Sequence, residues 1–197
     1  MTHVAEPHTM MWTRKLYYAA ADGGTFDQKR VELIEGEIID MSPMSSKHGL
    51  MIYVVQKALE TVFAAGYIVL AQAPLDLGES SEPQPDIAVY TGMPADYMDV
   101  KPTHALLVVE VADSSLRYDR GQKASLYAKA NIADYWIINL KDDTLEVYRT
   151  PVVAPTQPYG YGYKMVSSLK TQDTISPLAA PQAHISVGEL LATSRND

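Results

Sequence analysis

The sequence predicts an α/β domain, a mixed central sheet flanked by helices, with a β-hairpin near its N-terminus. Three observations carry that expectation. The run ALLVVEV at 105–111 is apolar and β-branched over the length of a strand buried on both faces. A second such run, DYWIINL at 134–140, follows it, with a helix-periodic segment at 119–130 between them. Strand, helix and strand at this spacing make a crossover unit, which implies a right-handed parallel pairing. Upstream, VELIEGEIID at 31–40 places two β-rich runs on either side of Glu35-Gly36, a two-residue hairpin turn.

In chain order, residues 13–21 have apolar and aromatic residues at helical spacing and stop at Asp22-Gly23-Gly24. The hairpin register sets Ile34 opposite Glu37 and Glu32 opposite Ile39, so Glu32 and Glu37 share a face. Ser42-Pro43-Met44-Ser45-Ser46 breaks the strand and caps a helix from about Lys47 to Ala65, its apolar stripe expected from Leu50, Val54, Ala58, Leu59 and Val62. Gly66 ends that helix. Residues 67–71 read as a strand that Leu75 to Gly78 continue after Pro74, 78–83 as a polar turn, 86–90 as a strand and 91–102 as a loop. After the crossover unit, Asp142-Asp143 turns into an alternating strand at 144–149. The Pro-, Gly- and Tyr-rich segment 151–163 reads as a loop or partner-facing stretch. A closing strand or loop at 175–181 and a short C-terminal helix follow, the latter with a capping box at Ser186 and Glu189.

Length and composition bound the function. The 197 residues suit one domain over 1–197, with a core at about 30–149 between an N-terminal helix and a C-terminal extension. No repeat is visible. With 47% hydrophobic and 20% charged residues, the chain has globular composition. The absence of cysteine excludes disulfides and thiolate zinc sites and fits a reducing cytoplasm, the expected location. Residues 1–14 do not have the pattern of a signal peptide, and the longest nearly uncharged stretch, 61–74, is too short to span a bilayer. A soluble protein is expected. The net charge of −8 argues against a broad electrostatic footprint for DNA while leaving room for a local basic groove.

Two carboxylates stand out. Glu110 lies in the most apolar run of the chain, where a lone charge is costly unless paired or metal-bound. A glutamate emerging into solvent at a strand end is the plain alternative. Asp86 follows Pro85 at the mouth of the preceding strand, where a simple turn aspartate is the alternative. Two acids projecting from adjacent strands supply the oxygen ligands that Mg²⁺ or Mn²⁺ prefers, with water and phosphate completing the shell. Lys123, on the helix after the Glu110 strand, could orient water and offset charge on a phosphate there, or be a solvated helix lysine.

The strings VELIEGEI at 31–38, MSP at 41–43 with Ser45 and His48, QPDIA at 84–88, LVVEV at 107–111, DRGQKASLY at 119–127 and ADYWII at 133–138 resemble, in order and spacing, the Uma-two-like family of endonucleases. That family is part of the PD-(D/E)XK restriction-endonuclease-like superfamily, and the resemblance covers about 30–149. It implies a restriction-endonuclease-like fold and Mg²⁺-dependent phosphodiester hydrolysis. Residue by residue, it implies that Asp86 is the first acid, Glu110 the acid of the (D/E)XK element, and Lys123 its lysine, supplied from the helix because Ala112 fills the usual strand position. His48 matches a polar active-site position, and Glu32 and Glu37 match family positions of accessory role. The loop Ala112-Asp113-Ser114-Ser115 departs from the serine-proline pair usual there.

The leading expectation is therefore a Mg²⁺- or Mn²⁺-dependent DNA endonuclease, with Asp86 and Glu110 on the metal and Lys123 assisting. Its rival, motivated by the acidic charge, is a non-catalytic nucleic-acid-binding or assembly module on the same fold. A third reading is a structural homodimer whose acids solvate strand ends. A two-fold assembly would also suit cutting both DNA strands.

Overall fold

The computed structural model describes residues 8–191, which divide into two compact units. The first is formed by residues up to Pro43 together with Leu77–Pro83. Its helix α1, Arg14–Asp22, starts where Thr13 Oγ1 accepts a hydrogen bond from Leu16 N. Strands β1, Val31–Ile34, and β2, Glu37–Asp40, pair antiparallel in the expected register, Glu32 opposite Ile39 and Ile34 opposite Glu37. The turn has φ of 47° at Glu35 and 79° at Gly36, the two consecutive left-handed residues of a tight hairpin turn. Tyr17, Val31 and Leu33 form this unit's small core with Trp12, Phe26 and Ile38 packed on it. Glu82 N donates to Leu33 O, and the Tyr18 hydroxyl donates to the Glu82 carboxylate.

The second unit, Met44–Asp76 with Gln84 onward, is built on a six-stranded sheet of order β3-β4-β5-β6-β7-β8. Its strands are β3 (Tyr67–Ala71), β4 (Ile87–Thr91), β5 (Leu107–Ala112), β6 (Asp134–Asn139), β7 (Thr144–Val153) and β8 (Tyr161–Leu169). Only β5 and β6 run parallel, joined by the helical crossover that the spacing predicts. The mixed sheet flanked by helices is thus present.

One face of the sheet carries Val69, Ile87, Val89, Val109, Val111, Trp136, Ile138, Leu145 and Val147, packed with Met51, Ile52, Val55 and Leu59 of helix α2, Ser46–Val62. The other face, with the alternate residues of each strand, is met by helix α4, Ala124–Lys129. Both faces are covered, which is why β5 and β6 read as continuous apolar runs rather than as alternating ones. A short pair, β9 (Thr174–Ile175) with β10 (Ile185–Ser186), precedes helix α5, Val187–Leu190, whose N-cap Ser186 accepts from Glu189 N.

Four expectations need correction. Helix α2 ends at Val62, three residues earlier than read, and its buried stripe is Met51, Ile52, Val55 and the expected Leu59, with Ala58 and Val62 packed half-buried beside it and Leu50 59% exposed. In the unbroken apolar run Leu50–Val55 only the sheet decides the helical phase. Residues Leu75–Gly78 do not extend β3. The Pro- and Tyr-rich segment 151–163 is a loop only over 154–160: β7 runs on to Val153, and β8 returns beside it from Tyr161. Pro151 is tolerated because β6 pairs with β7 only up to Arg149, so no neighbour on that side needs the missing N–H. The crossover helix is not uniform. It consists of α3, Leu116–Tyr118, a π-helical stretch Asp119–Lys123, and α4.

Candidate active site

Asp86 stands one residue before β4, whose pairing sets Ile87 opposite Val109, so Asp86 and Glu110 are brought side by side. The strands are tied through these acids. Val111 N donates to Asp86 Oδ2 at 2.9 Å, and Asp86 N donates to Glu110 Oε2 at 3.3 Å. Both carboxylates are buried, at 5% and 4% exposure. Alternation along β5 sends Leu107, Val109 and Val111 to the α2 face and Glu110 to the α4 face.

There Glu110 Oε1 accepts from Lys123 Nζ at 3.0 Å and from the Tyr127 hydroxyl at 2.6 Å. Lys123 is 1% exposed, so its ammonium has left water for this pair. It ends the π-helical stretch, and Tyr127 follows it by four residues, one turn further on the same face. A π segment re-aims side chains that an ideal helix would place elsewhere, and such segments concentrate at functional sites.

His48 reaches the cluster from the first turn of α2. Ser45 Oγ accepts from His48 N, which fixes the helix start, and the imidazole Nε2 lies 3.1 Å from Asp86 Oδ2. Burial is the largest single influence on the Asp86 carboxyl and pushes its pKa up. The His48 imidazole 3.1 Å away, the Val111 N–H and the Lys123 charge together outweigh burial and hold it below its ordinary 3.8. Asp86 is thereby kept as a carboxylate inside the protein.

Asp86, Glu110, Lys123 and His48, each singled out from the sequence, form one contact network. Glu32 and Glu37 belong to the first unit, where Glu32 is fully buried and Glu37 is exposed, although the register gives them one face. Sequence reasoning missed Tyr127. The signal available was its spacing of four from Lys123 within the segment DRGQKASLY. Two other buried acids are structural. Asp134 is held by Arg149, Trp136 Nε1 and Leu178 N, and Glu146 by Arg120, Asn139 and Tyr148.

The donor set can be tested against a divalent ion. Among the described residues no group of three or more His, Cys, Asp or Glu side chains is arranged to hold a metal. The pair Asp86 and Glu110 nevertheless fits Mg²⁺ or Mn²⁺, hard ions that often take one or two carboxylates and leave their other positions to water and phosphate. The Lys123 ammonium beside them supplies positive charge that two adjacent buried carboxylates require without a metal.

Comparison with known proteins agrees with the fold. A crystal structure titled as that of "a putative nuclease belonging to DUF820" from Anabaena variabilis matches with a TM-score of 0.63 at 18% identity, covering 84% of this chain and 91% of that one. Among curated proteins no sequence matches. Within the described residues no helix is long and apolar enough to cross a membrane. The model of the Uma2 family, described as "Putative restriction endonuclease", matches residues 17–188, nearly the whole chain, and the protein therefore belongs to the Uma2 family.

Proposed function

We propose that this protein is a divalent-metal-dependent endonuclease that hydrolyses DNA phosphodiester bonds, with Asp86 and Glu110 as the ligands of Mg²⁺ or Mn²⁺. The observation that carries this reading is the buried pair of carboxylates on adjacent strands, with the Lys123 ammonium 3.0 Å from one of them. The family's description as a restriction endonuclease supports it.

When bound, such an ion neutralises charge on the scissile phosphate and lowers the pKa of a coordinated water. The chain's own residues do the rest. Val111 N–H and the His48 imidazole fix the Asp86 carboxylate, and Lys123 and Tyr127 fix that of Glu110. Lys123 holds an ammonium in a site that excludes bulk water, where it offsets the phosphate's negative charge far better than at the surface. His48, on the opposite side of Asp86, is placed to exchange a proton with a water or a leaving oxygen near that acid.

Incubating plasmid DNA with the protein and Mg²⁺ or Mn²⁺ tests the assignment. Nicked or linear product is expected from the wild type, with a loss of at least about a hundredfold in rate for Asp86→Asn and for Lys123→Ala. Undiminished cleavage by both variants would remove the site. Absence of Mg²⁺ and Mn²⁺ binding by calorimetry at millimolar concentration would instead favour a non-catalytic module on this fold.

A further inference from the structure

An open groove of about 570 Å³ lies where the chain leaves β5 and β6. Arg117, Arg120 and Lys141 line it together with Ser114 and Gln122, and no carboxylate is among its lining residues. In a chain of net charge −8, two cations without an ion-pair partner among the described residues and a third held by Glu146 around one concavity are a local reversal of sign. We propose that this groove binds a backbone phosphate of the DNA substrate, beside the site where the diester is cut. The proposal rests on the nuclease reading above and gives that site its means of holding DNA.

The side chains are suited to the task. Arg117 and Lys141 are exposed, and neither has an ion-pair partner among the described residues. Arg120 is anchored, and its charge offset, by Glu146, so Arg117 and Lys141 supply the groove's unpaired charge. Arg120 Nε and Nη2 grip Glu146 at 2.5 to 3.2 Å, which leaves the Nη1 edge uncommitted to that carboxylate. Asn139 Nδ2 donates to Asp142 Oδ2, which ties back the acid that follows Lys141, and Asn139 Oδ1 accepts from Lys141 N, which fixes the turn. Ser114 and Gln122 add neutral donors of the kind that position phosphate.

Placement connects the groove to the acids. Ser114 follows Glu110 by four residues, so the two are at most about 14 Å apart along the chain. Arg120 and Gln122 belong to the same π-helical stretch as Lys123. The groove also sits at the carboxyl ends of the parallel pair β5 and β6, the end where open α/β sheets take their ligands. Each DNA strand carries a charge about every 3.4 Å of helix axis, so phosphates a few nucleotides from the scissile one cross such a distance.

Anisotropy of a short fluorescein-labelled DNA duplex, titrated with protein in EDTA over a range of salt, tests the proposal. Arg117→Ala/Lys141→Ala is expected to weaken binding roughly tenfold at about 100 mM salt and to reduce the log–log salt slope by about 1 to 2. Arg117→Lys/Lys141→Arg should restore most of both. Both side chains are exposed, so the urea midpoint should not move, and a loss of binding then reports contact rather than folding. Unchanged affinity and slope would overturn the proposal, as would a wild-type chain that binds no duplex. Displacement of the duplex by equimolar inorganic phosphate would also overturn it, by showing a free-anion site. Hydrolysis of bis(4-nitrophenyl) phosphate with Mn²⁺, a diester too small to span both places, separates the two readings. It should survive in the double variant and vanish in Asp86→Asn. A chain that binds DNA through these cations yet cleaves neither substrate would refute the nuclease reading and leave the groove standing.

Discussion

Replacing Lys123 with Met should destabilise the protein far more than replacing an ordinary helix lysine. The ammonium is 1% exposed and 3.0 Å from a Glu110 oxygen, and Glu110 is itself 4% exposed. At an effective dielectric of about 20, two unit charges at that separation attract by roughly 5 kcal/mol, which offsets the cost of taking both from water. Removing the lysine alone leaves the Glu110 carboxylate buried with the Tyr127 hydroxyl and the Asp86 N–H, two neutral donors. A loss of about 3–5 kcal/mol is expected. Glu110→Gln alone should cost a comparable amount through the stranded ammonium. The double variant Glu110→Gln/Lys123→Met removes both charges while keeping shape, and should recover at least half of the summed losses. Urea unfolding of the four proteins at neutral pH without metal gives the cycle. With an m-value of about 2 kcal/mol per molar, the single variants should move the midpoint by roughly 1.5–2.5 M. A single-variant loss below about 1 kcal/mol, or losses that simply add in the double variant, would show that the two charges do not depend on each other.

Two further outcomes follow from the structure. Burial raises the Glu146 carboxyl, but hydrogen bonds from Arg120, Asn139 and Tyr148 outweigh it and leave the pKa below the ordinary 4.5. A depressed folded pKa gives stability that is present above about pH 4.5 and fades as pH falls through the folded value, so Glu146→Gln should flatten the acid limb of a urea-midpoint-versus-pH curve; an unchanged limb would count against the network. In the first unit, Gly36→Ala puts a methyl group 2.9 Å from Met11 Cβ at a residue with φ of 79°, and should cost about 1–3 kcal/mol; a melting temperature within error of the wild type would contradict that turn geometry.

Much of this protein is written locally. Glu35-Gly36 supports the tight turn because glycine, and a short polar stretch around it, accepts left-handed backbone, and the hairpin register follows from it. The β-branched runs at 105–111 and 134–140 can bury both faces only in the middle of a sheet, so the crossover and the parallel pairing were readable. Glu110 was visible as an acid where an acid is costly, Asp86 as a second acid after Pro85 at the mouth of the preceding strand, and Lys123 and His48 through the resemblance of short strings. What the linear pattern could not carry depends on neighbours distant in sequence. The phase of α2 was ambiguous because Leu50 to Val55 is apolar throughout, and packing on the sheet chose Met51, Ile52, Val55 and Leu59. Strand β8 was hidden because Pro, Gly and Tyr also suit loops, and only pairing with β7 made it extended. Tyr127 joined the site because a π-helical stretch set the face on which Lys123 and Tyr127 both meet Glu110. The sequence alone thus marked Glu110 as an acid that would be too costly to bury without partners. The tertiary structure decided which partners it found, since hydrogen bonds and ion pairs of 2.6 to 3.3 Å exist only once strands and helix are docked.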